Sequence, residues 1–323
     1  MSLSPFEKTL CVRLQEGLAI CERPFDRIAQ QLGVSQSTVL EGIRSLQASG
    51  VIRRFGPVIN ARALGRISTL VTAHVPDQRI QAVADRISAL EGVSHNYLRR
   101  HHHNLWFTLQ AGDQHEIQRK LEGLTRQTGV MFFDLATERI FKLEMLLDPD
   151  GMNPLALQST VQVPSTAHVQ LSELDKRLLQ GLQQGIALIP DPFSAYRSDD
   201  DDMQAILQGI QRLVRTGVIR RIGAVVHHRR LGFTANALLV LQVPAQESIE
   251  AGQSLARYRA VSHCYTRRSY APWPYTHYAM MHGLNHDSIQ SLADHVTQDL
   301  HVRRWELLWT EREFKKQPVV QRF

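Results

Sequence analysis

Apolar residues in the first fifty positions recur at helical spacing in three runs, Leu3 to Leu18, Phe25 to Leu32 and Ser35 to Ala48. Gly33 stops the second run. Ser35 is a capping residue ahead of Val39, Ile43 and Leu46, the apolar stripe of a third helix. Three short helices followed by a β-like run from Gly50-Val51-Ile52-Arg53-Arg54 predict a winged helix-turn-helix. The period then shifts to that of strands. Strands are predicted over Ser68 to Val75, Val93 to His101, His103 to Ala111 and Val130 to Lys142, and helices over Arg79 to Leu90 and His115 to Thr128. That order is βαββαβ, the ferredoxin-like split.

The same order occurs twice. Gly50-Val51-Ile52-Arg53-Arg54 returns as Gly217-Val218-Ile219-Arg220-Arg221. Val93-Ser94-His95-x-Tyr97-x-Arg99-Arg100 returns as Val261-Ser262-His263-x-Tyr265-x-Arg267-Arg268, and Thr137-Glu138-Arg139-x-Phe141-Lys142 as Thr310-Glu311-Arg312-x-Phe314-Lys315. The expected fold class is therefore α+β with an internal duplication. The expected domains are a winged helix-turn-helix over 1–62, a ferredoxin-like domain over 63–148, a linker over 149–168, a degenerate winged helix-turn-helix over 169–229 and a second ferredoxin-like domain over 230–323.

Composition narrows the setting. Of 323 residues 43% are apolar and 21% charged, enough for buried cores and too apolar for global disorder. No stretch approaches the ~20 apolar residues that span a bilayer, and Met1-Ser2-Leu3-Ser4-Pro5 lacks a signal-peptide layout, so a cytoplasmic protein without membrane association is expected. Cys11, Cys21 and Cys264 have no paired spacing, which argues against a disulfide framework or a zinc site. The net charge of +6 is mild, but only six of the 37 basic residues are lysine. Arginine forks suit carboxylates and phosphates.

Nucleic acid is a poor fit for those arginines. The run that would enter a major groove, Ser35 to Gln47, has Glu41 and Arg44 as its only charges, and its counterpart opens on Asp199-Asp200-Asp201-Asp202. Four carboxylates there repel a phosphate backbone, so no DNA partner is expected.

The densest chemistry lies at the first hairpin, Arg99-Arg100-His101-His102-His103-Asn104-Leu105-Trp106-Phe107. Histidines titrating near neutrality beside arginine forks suit proton transfer to a bound acid. Arg100-His101-x-x-Asn104-Leu105-Trp106-Phe107, with Trp273-Pro274-Tyr275 and Met280-Met281-His282-Gly283, resembles the siroheme decarboxylases, Lrp/AsnC-like proteins of haem d1 and alternative haem biosynthesis. The whole chain resembles their fused form, a NirD-type half followed by a NirL-type half. The resemblance implies removal of carbon dioxide from two acetates of siroheme, leaving methyl groups. It implies two important histidines, which the motifs place at His101 and His282, as proton donors or as ligands of the substrate iron. Where the family has tyrosine this chain has His103, and Tyr275-Thr276-His277 replaces Tyr-Asn-Leu, so His103 and His277 become additional candidates.

Siroheme carries eight carboxylates, so its pocket calls for arginines and an aromatic lining. The candidates are Arg53, Arg54, Arg100, Arg220, Arg221 and Arg268, with Trp106, Trp273 and Tyr275. No cofactor of the protein's own is expected, because the macrocycle absorbs the electron pair that carbon dioxide leaves behind and the iron belongs to the substrate. Siroheme is the expected partner, with homologous NirG/NirH-type subunits and a homo-oligomer as further candidates. The alternative is an Lrp/AsnC-like transcriptional regulator sensing a small molecule.

Overall fold

The computed structural model describes residues 3–144, 146–151, 153–159, 161, 167–198 and 202–323. Helices α1 (Pro5–Glu16), α2 (Pro24–Leu32) and α3 (Gln36–Ala48) lead into strand β1 (Ile52–Ile59). Ser4 and Glu7 close a capping box at α1, and the left-handed Gly33 ends α2. There follow β2 (Ile67–Ala73), α4 (Ile80–Ala89), β3 (Val93–Arg99), β4 (Leu105–Ala111), α5 (Gln114–Thr128) and β5 (Phe132–Leu143). The second half repeats the order with α6 (Glu173–Gln183), α7 (Met203–Arg215), β6 (Ile219–Val226), β7 (Ala235–Leu241), α8 (Ser248–Arg257), β8 (Val261–Arg267), β9 (His277–Gly283), α9 (His286–Asp299) and β10 (Trp305–Lys316).

In place of α2 the second half has only a 3-10 turn, Pro192–Tyr196, whose fully buried Phe193 takes the position that Phe25 fills in the first half. Asp202 caps α7 by accepting from the Ala205 amide, while Asp199 to Asp201 lie outside the described residues. The α3 residue Arg44 donates to the Leu188 carbonyl at 3.0 Å, so this helix uses its one cation within the chain. The two winged segments share one apolar core, in which Leu14, Phe25, Ile43 and Leu46 meet Leu178, Leu182, Phe193 and Ile210. Their strands β1 and β6 pair antiparallel about Gly56 and Gly223. A Cβ on Gly223 would stand 2.4 Å from the Leu14 carbonyl oxygen, so the ribbon reaches α1 only because this residue has none.

The remaining eight strands close into a barrel in the order β10-β3-β4-β2-β5-β8-β9-β7. The long strands β5 and β10 make the closure, because each pairs first within its own half and then across to the other. The segment after β5 first passes α1, where buried Leu147 exchanges hydrogen bonds with the Gln15 side chain, and then the second half, where the Gln158 amide donates to the Arg257 carbonyl.

The first hairpin is shorter than its pattern suggests. Arg99 donates its amide to the Asn104 carbonyl at 2.8 Å, and the His103 amide donates to His101 Nδ1 at 2.9 Å, so His101 to His103 form a turn. The Asn104 side chain pins that turn to Val75 through both of its amide atoms.

Candidate active site

Alternation along the barrel strands decides which side chains face inward. On β3 these are His95, Tyr97 and Arg99, and on β8 their repeats His263, Tyr265 and Arg267. From β4 and β9 come Trp106, Thr108 and Gln110, and Tyr278, Met280 and His282. With the β1–β6 ribbon and the turns after it, they enclose a cavity of about 400 Å³. Six arginines and Lys316 line it, against a single carboxylate among the described residues, Glu313.

The buried cations are held by neutral oxygens. Arg99 donates to the Leu308 carbonyl at 2.8 Å and the Thr310 hydroxyl at 3.0 Å, and Arg267 donates to the Leu135 carbonyl at 3.1 Å and the Thr137 hydroxyl at 2.8 Å. The Nε of each is buried with no hydrogen-bond partner. Burial lowers the Arg99 guanidinium to about 10, and it stays charged at neutral pH. Buried charge without a counterion is costly, and a polyanionic ligand removes that cost.

The cavity histidines are neutral at neutral pH. Burial first, then neighbouring cationic groups, pushes His282 and His263 down to about 3 and His95 to about 4. Ser262 Oγ bridges His263 Nδ1 at 2.8 Å and His282 Nε2 at 2.9 Å. His282 Nδ1 is buried without a partner. His282 thus offers the cavity an imidazole nitrogen that the protein leaves unused.

Of the thirteen residues singled out from the sequence, His282, Arg220 and Trp106 line this cavity. Arg220 also donates to the Leu143 carbonyl at 2.5 Å. Arg53 lies 3.7 Å from the lining residue Glu313 and does not line the cavity itself. Arg54 and Arg221 fold back onto carbonyls of their own strands, Pro57 and Ala224, and do not reach the cavity. Arg100 and Arg268 are exposed; Arg100 pairs with Glu311 at 3.0 Å. Their neighbours Arg99 and Arg267 hold the inward positions.

A second cluster lies behind the aromatic wall. His101 Nε2 lies 2.8 Å from Glu306, which also accepts from the Tyr275 hydroxyl. His101 and His103 each stand edge-on to Trp273 with ring centroids 5.3 Å apart, and Trp273 donates to the Tyr278 hydroxyl at 2.7 Å. His101, His103, Trp273 and Tyr275 thus stand behind the lining residues Trp106 and Tyr278, which donate to the His103 carbonyl at 2.6 Å and the Tyr275 carbonyl at 3.2 Å, and do not line the cavity themselves. His277 is fully buried on the outer face of β9, 2.8 Å from the Ser248 carbonyl.

The chain matches the AsnC-like ligand binding domain over residues 63–142 and 230–315, and the siroheme decarboxylase NirDL-like HTH domain over residues 7–53. A siroheme decarboxylase of Hydrogenobacter thermophilus is 32% identical over 96% of this chain and 93% of its own length. The NirDL subunit of the Paracoccus denitrificans enzyme is 30% identical over 91% of this chain and 90% of its own. This chain belongs to the siroheme decarboxylase family. The crystal structure of a siroheme decarboxylase NirDL, solved also in co-complex with an iron-uroporphyrin III analogue, superposes with a TM-score of 0.71, at 28% identity over 97% of this chain and 94% of that one. Relatives of the family also occur as half-length proteins: the NirD subunit of Pseudomonas aeruginosa is 40% identical over 44% of this chain.

Within this siroheme decarboxylase fold, His95, Tyr97, Arg99, His263, Tyr265 and Arg267 line the cavity, although none of them is among the residues singled out from the sequence. A signal was present. His-x-Tyr-x-Arg at strand period occurs in both halves, and period two assigns all three residues to one face. His228 and Lys316 gave no such signal, because β6, β9 and β10 bring them together from distant positions.

Proposed function

We propose that this chain removes carbon dioxide from two acetate side chains of siroheme, within the barrel cavity, as a step toward haem d1 or haem. The observation that carries the reading is the charge of the lining, six arginines and a lysine against one carboxylate, which suits an octa-acid and few other ligands. Arg99, Arg220 and Arg267 bind carboxylates, and Trp106, Tyr278, Leu70, Leu238 and Met280 pack on the macrocycle.

The bond between an acetate methylene and its carboxylate carbon breaks, and carbon dioxide leaves. The electron pair remains on the methylene carbon and is spread into the macrocycle. A proton then forms the third C–H bond of the new methyl group. His282 is the donor: bound carboxylates favour its imidazolium, whose Nε2–H is held by the Ser262 oxygen and whose Nδ1, the nitrogen without a protein partner, delivers the proton. No cofactor of the protein's own takes part. Both halves are present in one chain, so the cavity needs no NirG/NirH-type subunit, and the reaction takes place in the cytoplasm.

The deciding experiment is anaerobic incubation of the purified protein with siroheme and mass detection of the products. Loss of two carbon dioxide molecules is expected. Recovery of unchanged siroheme, together with tight binding of the protein to a specific DNA duplex, would instead favour a regulator.

A further inference from the structure

The two sides of the cavity are related by the duplication but differ in chemistry. Strand register matches Asn236 opposite His282 with Ser68 opposite Gln110, and Lys316 opposite His95 with Leu143 opposite His263. The repeat of the winged segment matches His228 with Ala61. One corner therefore holds His228, Asn236, His282 and Lys316, and its counterpart holds Ala61, Ser68, Gln110 and Leu143.

In the first corner Lys316 Nζ lies 3.2 Å from His228 Nδ1, and the Asn236 amide lies 3.2 Å from His228 Nε2. A charged lysine donates to Nδ1, so the imidazole proton sits on Nε2, with the Asn236 oxygen turned to accept it. The His228 and His282 ring centroids are 5.6 Å apart. A cation and two imidazoles are thus gathered around one small volume.

The counterpart corner lacks the lysine and the imidazole pair, and its cation is Arg220, which is engaged with the Leu143 carbonyl at 2.5 Å. Gln110 accepts from Gln321 Nε2 at 2.8 Å, and Gln321 is held by two further bonds to Gln183. At the related strap Gln15 makes the same pair of bonds to the backbone of Leu147, whose apolar side chain has no amide to match that of Gln321. His95 and His263 occur on both sides alike, each with Nδ1 engaged by the preceding serine at 2.8 Å, and do not distinguish them.

Every decarboxylation of an acetate consumes one proton as the C–C bond is replaced by C–H. We infer that both acetates react at the corner of His228, His282 and Lys316, one after the other, and that the once-decarboxylated macrocycle turns within the cavity or rebinds between the two losses. This inference rests on the reading of siroheme as substrate. Lys316 attracts the carboxylate into the corner, and His228 with His282 handles the proton that follows its loss.

Single-turnover reactions of His228→Gln, Lys316→Met and Lys316→Arg test it, with siroheme binding followed by its absorbance and products resolved by mass. The expected result for His228→Gln and Lys316→Met is siroheme affinity within about threefold of the unmodified protein and both losses slowed together by about tenfold or more, with Lys316→Arg closer to the unmodified protein. Two variants at separate positions guard against misfolding of one. Arrest after a single loss, or unmodified rates for both, overturns the inference, since each side would then serve one acetate. If the unmodified protein releases no carbon dioxide, it is the proposed function that fails.

Discussion

An imidazole held at about 3 by burial is a poor proton donor until a carboxylate arrives beside it. Bound carboxylates favour the charged form, so substrate binding should raise the affinity of His282 and His263 for protons. Net proton uptake on siroheme binding is expected near pH 6 to 7, read as a dependence of the binding enthalpy on the ionisation enthalpy of the buffer. Without ligand the same residues make the fold acid-sensitive. Their folded values lie below the ordinary histidine value of about 6.5, so between about pH 6.5 and 3 the unfolded chain binds more protons and stability rises with pH. A denaturation midpoint that falls steadily as pH drops through that window checks this; a flat profile contradicts it. For catalysis itself, His282→Asn removes the proposed donor and keeps a polar group beside Ser262. Turnover should fall by roughly 10²–10⁴-fold while siroheme binding persists.

Among the elements, the β1–β6 ribbon is the least replaceable, since it joins the two winged segments and roofs the cavity. Its two central glycines face different surroundings. At Gly223 a methyl group would meet the backbone oxygen of Leu14 at 2.4 Å, whereas at Gly56 the nearest atoms, on Gly185 and Leu182, lie at 3.5 Å. Gly223→Ala should cost about 1–3 kcal/mol, because backbone cannot step aside as a side chain can, and Gly56→Ala should be nearly neutral. Urea denaturation of the two variants side by side decides it; equal losses would mean that the ribbon shifts to absorb the methyl group. Neither residue has positive φ, so conformational strain does not confuse the comparison.

The molecule as one body is a barrel made from two halves that cannot each close it. Since β5 and β10 carry the cross-pairing, the cavity exists only when both halves are in register. Its cationic lining is enclosed, so siroheme affinity should weaken with ionic strength less steeply than surface ion pairs do. Absorbance titrations from low to high salt measure the slope; a loss as steep as that of an open charged surface would place the carboxylates outside the barrel. Binding should also raise the thermal midpoint, because the ligand favours the folded state that contains the cavity.

The duplication, the winged helix-turn-helix and the βαββαβ order were legible in the chain because each depends on near neighbours: capping Ser35, stop-signal Gly33, the repeated Gly-Val-Ile-Arg-Arg. His282, singled out through its motif, lines the cavity, as do Arg220 and Trp106. Neighbour-level reasoning went less far within the hairpin. The conspicuous Arg100 and His101 lie outside the cavity, while the plainer Arg99, one position earlier, lies inside, because adjacent strand residues face opposite ways and sequence alone does not say which face closes on itself. Barrel closure made that choice. It also brought His228 from the second wing and Lys316 from the last strand to the same corner as His282, with their counterparts Ala61 and Leu143 on the other side. Local periodicity carries the elements, but the meeting of residues nearly ninety positions apart, such as Lys316 and His228, is set by which strands pair across the two halves, and that is decided by the packing of the barrel as a whole.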